Sequence, residues 1–272
     1  MYNEQVYNSG GEGFMNSTSI VGKITFLLLV IFIFIILLRI SIQLMTWIFN
    51  SMKSPLLING MVNAKQTIII PQDPTNKDAK PLTRSVNQDG GIEFTWSVWI
   101  LIDDLQYGAG QYKHIFHKGN DSIATNGLNF PNNGPGLYIA PNTNELVVIM
   151  NTFNVINEEI TVSDIPLNKW VNVILRCRNT TFDVYINGVV TKSVKLLGVP
   201  KQNYGDVYIA MNNGFSGYIS NLSYYNYAIS TSKIREIMRT GPNTAMAGYS
   251  TDPKNKNNLD YLSLRWYFYG SQ

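Results

Sequence analysis

The most regular pattern of hydrophobic and polar positions lies in residues 169–190, KWVNVILRCRNTTFDVYINGVV. Apolar residues alternate with mainly polar ones over 171–178 and again over 182–187, which predicts two strands that each bury one face. Asn187-Gly188 tolerates the positive φ angles of a type I′ turn, so a third strand follows in an antiparallel meander. The buried face of the first strand is predicted to carry Val171, Val173, Leu175 and Cys177.

Shorter segments with strand character recur along the chain and are separated by clusters of Gly and Asn, as in an all-β fold. Residues 230–240 predict one short helix near the C-terminus, since Ser230 or Ser232 can cap its start and Gly241-Pro242 can end it. The whole pattern predicts two antiparallel sheets packed as a sandwich. The further strands are predicted at 66–70, 94–102, 112–117, 136–140, 145–153, 159–162, 207–211 and 217–225.

A different pattern lies near the N-terminus, where residues 24–38 carry no charge. With Lys23 and Arg39 snorkelling at its ends and Trp47 as an interfacial anchor, the segment 20–49 is long enough to span a bilayer. The alternative, a cleaved signal peptide, would need a basic n-region, but the charged side chains before Lys23 are acidic. We predict a retained transmembrane helix whose membrane-spanning side chains include Ile24, Phe26, Leu28, Val30, Phe32, Phe34, Ile36 and Leu38.

Flanking charge predicts the orientation of this helix. Arg39, Lys53 and Lys65 follow its apolar centre, and no acidic residue lies between Arg39 and Asp73. The positive-inside rule then places the C-terminal domain on the cytosolic side. The single cysteine, Cys177, excludes an intrachain disulfide and favours a reducing compartment. The chain is therefore predicted to be a single-pass membrane protein with a cytosolic domain.

Composition divides the chain into five segments. They are a polar tail (1–19), the transmembrane helix (20–49), a connector (50–65), the sandwich (66–243), and a loop with a C-terminal aromatic strand (244–272).

The last segment is predicted to form a strand over 259–269. Its apolar face cannot remain in water, and we predict that it pairs with the chain near residues 66–70. Strand addition to a neighbouring protein is the alternative, which makes this face a candidate partner-binding surface. Its members are Leu262, Leu264, Trp266 and Phe268.

Six phrases stand out in the sequence: FTWSVWI (94–100), IFHKG (115–119), PGLYI (135–139), NKWVNVILR (168–176), DVYINGV (183–189) and GFSGYISNLSYYNYAIS (214–230). Together they resemble laminin G-like domains of the concanavalin A-like jelly-roll superfamily. The residues from 198 to 222, GVPKQNYGDVYIAMNNGFSGYISNL, are also similar to members encoded by large double-stranded DNA viruses, several of which carry an N-terminal anchor. The resemblance implies a jelly-roll sandwich and a place in a virion at the interface of inner membrane and capsid.

Catalytic and metal chemistry find little support in the sequence. Glycosidases of this superfamily set carboxylates on alternate residues of one strand, whereas the pairs Asp103-Asp104 and Glu158-Glu159 are adjacent and would point to opposite faces. The odd spacing of His114 and His117 likewise predicts opposite faces, so they are expected to be surface or turn residues that cannot share a zinc ion. We predict a non-enzymatic protein.

No cofactor is predicted apart from calcium, which many laminin G-like domains hold at the rim of the sandwich. Asp121, Asn212 and Asn213 are weak calcium candidates that the resemblance suggests. The net charge of +3 is spread over isolated residues, which disfavours a nucleic-acid partner.

Two functions remain. The first is a membrane-anchored structural protein, a virion minor capsid protein that links the shell to the underlying membrane. Its partners would be the lipid bilayer and other capsid or membrane proteins. The alternative is a lectin-like module, for glycan binding or adhesion, displayed outward on a membrane, which would need the opposite topology. Analogy of fold supports either function by association alone.

Overall fold

The computed structural model describes residues 20–53, 55–131 and 133–247, with the side chains of 47–53 left aside. Its contacts divide the chain into two compact units, Met1–Ser51 and Met52–Gln272.

The first unit is described through the helix α1 (Ile20–Lys53). Its apolar side chains are largely exposed, as are Lys23 and Arg39. The part Ile20–Thr46 is long and apolar enough to cross a membrane, and a signal sequence near an N-terminus would meet the same criteria.

The second unit contains thirteen strands and one helix within the described residues. They are β1 (Met61–Asn63), β2 (Ile68–Ile70), β3 (Val86–Gln88), β4 (Gly91–Asp104), β5 (Lys113–Gly119), β6 (Asn133–Ile139), β7 (Glu145–Met150), β8 (Glu158–Ser163), β9 (Trp170–Asn179), β10 (Thr181–Ile186), β11 (Val189–Lys195), β12 (Asp206–Ile209), β13 (Ser216–Tyr225) and α2 (Thr231–Thr240).

The strands form two antiparallel sheets. The seven-stranded sheet has the order β1-β13-β4-β9-β10-β11, with β3 paired to β4, and the six-stranded sheet has the order β2-β12-β5-β6-β7-β8. The predicted all-β jelly-roll sandwich, with an apolar N-terminal helix and a short C-terminal helix, is confirmed.

The hydrophobic core lies between the two sheets. The ring of Trp96 on β4 lies 5.1 Å from that of Phe116 on β5 and 5.0 Å from that of Tyr224 on β13, measured between centroids. These rings therefore connect the sheets at the centre of the sandwich. The predicted buried face of β9 is confirmed, since Val171, Val173, Leu175 and Cys177 are all buried.

The meander from β9 to β11 forms as the sequence predicts. Ile186 pairs with Val189, and the residues between them, Asn187 and Gly188, have φ angles of 50° and 79°. The opposite face of β9 is also covered here, because Ile174 packs with α2 in a second cluster of buried apolar residues. The side chain of Ser230 caps α2 by accepting the backbone N–H of Lys233.

The predicted connector requires a correction. Leu57 and Ile58 are fully buried in the core, and β1 pairs with β13, so the sandwich begins before residue 66. β2 pairs with β12 along one edge. The predicted C-terminal strand and its residues Leu262, Leu264, Trp266 and Phe268 lie outside the described residues.

Candidate functional site

A cleft of about 460 Å³ opens on the outer face of the seven-stranded sheet, beside α2. We call it the α2 cleft. Its floor comes from β4 and β13, one wall from α2, and the other from the turn after α2 and the segment before β1. It is lined by Leu56, Asn59, Ser97, Trp99, Asn221, Ser223, Tyr225, Lys233, Glu236, Ile237, Thr240, Gly241, Pro242 and Asn243.

The floor of the cleft combines aromatic rings with hydroxyl groups. Trp99 and Tyr225 are only 6% and 8% exposed, so their rings are held firmly by the surrounding packing. Asn172 Nδ2 lies 3.3 Å from Ser97 Oγ and donates to it. Since a hydroxyl both donates and accepts, the proton of Ser97 stays available to a ligand.

A bulge in β13 shapes one side of the floor. The register of β13 against β4 shifts between Ser220 and Ser223, and Asn221 within the shift has a φ of 48°. The side chain of Asn221 lines the cleft and donates to the carbonyl of Gly241 over 3.4 Å. Asn221 tolerates this positive φ, and the bulge turns its side chain in a direction that a residue in a regular strand would not take.

Ser220, which precedes Asn221 in the bulge, holds the turn after α2. Ser220 Oγ donates to the carbonyl of Asn243 over 2.8 Å and accepts the N–H of Asn243 over 3.1 Å. Asn243 Nδ2 in turn donates to Asn59 Oδ1 over 3.2 Å. Three amide side chains, those of Asn59, Asn221 and Asn243, therefore line this part of the cleft.

The α2 wall carries an ion pair. Lys233 Nζ and Glu236 Oε1 are 2.8 Å apart, one helical turn from each other. Partial burial opposes the charge on Lys233, but Glu236, Tyr225 and Tyr227 together outweigh it and raise the pKa of the amine. The hydrogen bond from Lys233 lowers the pKa of Glu236, so both groups are charged at neutral pH.

Aromatic edges, hydroxyls, amides and a compensated ion pair make the cleft suited to a polar ligand with apolar C–H faces. The C–H groups of such a ligand can contact the narrow exposed edges of Trp99 and Tyr225, while its hydroxyls bond to amides and charged groups. Glu236 is the one carboxylate among the lining residues. Glycoside hydrolysis by the usual route uses two carboxyl groups across the scissile bond, and the described lining supplies one.

The structure does not bring the calcium candidates together. Asp121 follows β5 and Asn212-Asn213 follow β12, and these strands pair antiparallel with Asp206 opposite Gly119. The two loops therefore lie at opposite ends of the sandwich, too far apart to share an ion. Within the described parts of the chain, no group of three or more His, Cys, Asp or Glu residues is arranged to hold a metal.

The prediction for the two histidines is wrong. A register irregularity in β5 between His114 and Phe116 breaks the expected alternation, and both histidines are fully buried with His114 Nε2 lying 2.6 Å from His117 Nδ1. The N–H of Met211 donates to His114 Nδ1, so the neutral His114 ring donates from Nε2 to His117. His117 then donates from Nε2 to the carbonyl of Asn120.

Burial lowers the pKa of both histidines, that of His117 to about 4, so the chain of bonds is neutral at pH 7. Every ring nitrogen has a partner in this arrangement. The pair is a satisfied polar element within the fold, and we call it the histidine chain.

Cys177 is a core residue, as predicted. Burial raises the pKa of its thiol to about 12, and the nearby carboxylates of Asp183 and Glu93 act in the same direction. The thiol is therefore protonated and poorly nucleophilic at neutral pH.

Sequence reasoning did not find the α2 cleft, although one signal pointed to it. Trp99 lies on the same face of its strand as Ser97, the face opposite to the core residues Trp96, Val98 and Ile100. A large aromatic residue on the nominally outer face of a strand marks a covered or ligand-binding surface. The other lining residues come from distant parts of the chain, which no local pattern connects.

Comparison with solved structures finds several toxin domains of low identity. The receptor-binding domain of the botulinum neurotoxin C/D mosaic serotype has a TM-score of 0.44 at 15% identity, over 54% of this chain and 36% of that one. The binding domain of botulinum neurotoxin serotype G has a TM-score of 0.44 at 13% identity, over 66% and 46%. Botulinum neurotoxin type C, whose uptake by cells depends on interaction with two ganglioside molecules, has a TM-score of 0.41 at 16% identity, over 54% and 35%. This chain thus matches less than half the length of these structures.

A search of curated proteins gave no match. Residues 74–235 match the laminin G-type family model described as the concanavalin A-like lectin/glucanases superfamily. Because this match covers more than half of the chain, the chain belongs to the concanavalin A-like lectin/glucanases superfamily.

Proposed function

We propose that this protein is a non-enzymatic, membrane-anchored binding module that takes a glycan into the α2 cleft. The observation that carries the proposal is the composition of the cleft. Its floor presents Trp99, Tyr225 and Ser97, and its walls present the amides of Asn59, Asn221 and Asn243. Its volume lies within the range of roughly 300–1,000 Å³ that ligand sites occupy.

Binding without hydrolysis is favoured by the state of the single lining carboxylate. Glu236 is exposed and hydrogen bonded to Lys233, which lowers its pKa. A general acid for glycoside cleavage needs a raised pKa and a second carboxylate opposite it. We therefore propose a lectin-like role with no cofactor.

The anchor supports a second candidate function. α1 contains an apolar stretch of 27 residues, which is enough to cross a bilayer. A sandwich held in this way could link a virion shell to its membrane as a minor capsid protein, with other capsid proteins as partners. The two functions are compatible if the α2 cleft binds a glycan carried by such a partner.

Filling the cleft is expected to weaken glycan binding. Thr240 is exposed at the end of α2 and lines the cleft, so a Thr240→Trp side chain would occupy it without disturbing the core. We expect at least a tenfold loss of affinity, about 1.4 kcal/mol, for the best glycan found on an array, measured by calorimetry.

The matched control is Ser232→Trp, which adds the same side chain to an exposed position of α2 outside the cleft. Its affinity should equal that of the parent protein. Equal binding by the parent and the Thr240→Trp variant would contradict the α2 cleft as the glycan site.

We also expect the sequons Asn120, Asn179 and Asn221 to remain unmodified when the full chain is synthesised with microsomes. The charges that flank α1 favour a cytosolic sandwich, where the ligand would be a glycan carried by a partner on the same side. The proposed site requires the same result at Asn221, because an N-linked glycan there would fill the cleft that this side chain lines. A mobility shift that an endoglycosidase reverses would show modification, and modification at Asn221 would rule out the site.

A further inference from the structure

One end of the sandwich exposes large apolar side chains on two adjacent loops. Phe153 and Ile156 follow β7 and are 70% and 46% exposed, and Leu197 follows β11 and is 70% exposed. We call these three residues the apolar rim. They belong to neither the core nor the α2 cleft.

The loops that carry the apolar rim are held by hydrogen bonds. The N–H of Phe153 donates to the carbonyl of Val199 over 3.0 Å, and Asn154 Nδ2 donates to the carbonyl of Leu197 over 2.6 Å. The N–H of Leu197 donates to Glu158 Oε1 over 2.7 Å. These bonds hold the apolar side chains in a defined arrangement on the surface. Their exposure to water is unfavourable unless a partner covers them.

Basic residues accompany the apolar rim. Lys201 Nζ lies 5.6 Å from the centroid of the Phe153 ring, and Lys195 ends β11 beside the loop. The nearby carboxylate of Glu158 accepts the N–H of Leu197 and keeps its negative charge, so it offsets one of these two lysines. Aliphatic and aromatic tips next to lysines complement an anionic bilayer surface, where apolar groups enter the interface and ammonium groups meet lipid headgroups.

The polypeptide enters the sandwich at the same end. The carbonyl of Pro55 accepts the N–H of Tyr224 over 3.2 Å, and Tyr224 and Lys201 line one small cavity. Pro55 follows the last residue of α1, Lys53, by two positions. The length of chain between a membrane span and this end is therefore short, which favours a lipid surface over a distant protein partner.

We propose that the apolar rim enters the headgroup region of the bilayer that α1 spans and so provides a second, reversible membrane contact. The inference relies on the proposed anchor for proximity, and on Phe153, Ile156, Leu197 and Lys201 for the contact itself. It is independent of glycan binding.

The test uses the full chain in nanodiscs of phosphatidylcholine and phosphatidylserine, with a nitroxide spin label at Leu197→Cys. Native Cys177 is buried, and the unsubstituted chain serves as the blank for its labelling. The matched control is Ala109→Cys, an exposed position after β4 at the opposite end of the sandwich. Power saturation compares collisions of each label with oxygen, which concentrates in lipid, and with a water-soluble nickel complex.

We expect the Leu197→Cys label to collide mainly with oxygen and the Ala109→Cys label mainly with nickel. Adding Phe153→Glu to the Leu197→Cys chain should move that label toward nickel accessibility, since a charge at the rim opposes insertion. Equal nickel accessibility of the two labels would overturn the proposal, and so would insertion that persists with Phe153→Glu. The Thr240→Trp variant should leave the rim label unchanged, so that failure of the glycan site and failure of the rim are distinguishable.

Discussion

Replacement of Trp96 by Ala is expected to lower the free energy of unfolding of the sandwich by about 3–5 kcal/mol. The side chain is fully buried between the two sheets and packs on Phe116 of one and Tyr224 of the other. Its removal leaves a cavity that strands paired on both sides cannot close. Urea denaturation of a fragment spanning residues 55–272, followed by circular dichroism, measures the loss.

Trp170→Ala is the matched control for this variant. Because Trp170 opens the alternating strand, the sequence predicts a buried side chain at the end of the sandwich whose removal costs about 3–5 kcal/mol. The structure corrects this, since Trp170 is only half-buried at the start of β9. Its removal should therefore cost less, about 1 kcal/mol. Equal losses from the two variants would contradict the packing described for the centre of the core.

The sandwich was predictable because most of its strands alternate with period two and its turns use residues that favour positive φ. The β9–β11 meander shows this best, since the parity of Val171 to Cys177 and the Asn187-Gly188 turn are both as predicted. The short strand β1 was missed because its three residues are too few to show periodicity, and long-range pairing with β13 alone defines it.

The prediction that alternate residues of a strand lie on opposite faces, one buried and one exposed, was wrong where strands are irregular or covered on both faces. One register irregularity in β5 brings His114 and His117 together although their spacing predicts opposite faces. In β4, six consecutive residues from Thr95 to Ile100 are buried, because α2 and its flanking turns cover the outer face that alternation assigns to solvent. The packing of α2 on this face also creates the α2 cleft. Because that packing joins distant parts of the chain, the local sequence pattern could not predict the site.

Acidification below pH 6.5 is expected to destabilise the fold through the histidine chain. The pKa of His117 falls from its ordinary 6.5 to about 4 because the ring is buried, and the pKa of His114 is lowered well below 6.5 for the same reason. The unfolded chain therefore binds more protons than the folded one in this interval, so stability rises with pH. The contribution of the neutral histidines to the free energy of unfolding is complete above pH 6.5 and is lost as the pH falls toward 4. For His117 alone the loss is on the order of 3 kcal/mol.

Urea denaturation of the 55–272 fragment at pH 7.0, 6.0 and 5.0 measures this loss, because exposed carboxylates such as Glu145 titrate mainly below that interval. The matched variant is His117→Gln, whose side chain can accept from His114 and donate to Asn120 but carries no charge at any of these pH values. We expect the variant to be less stable than the parent at pH 7.0, since its longer, flexible side chain loses the stacking of His117 on Tyr208. Its stability should nevertheless fall less steeply between pH 6.5 and 5.0. Parallel pH profiles for the two proteins would show that the pKa of His117 is the same in the folded and unfolded chains, which would contradict the burial-lowered pKa of this ring.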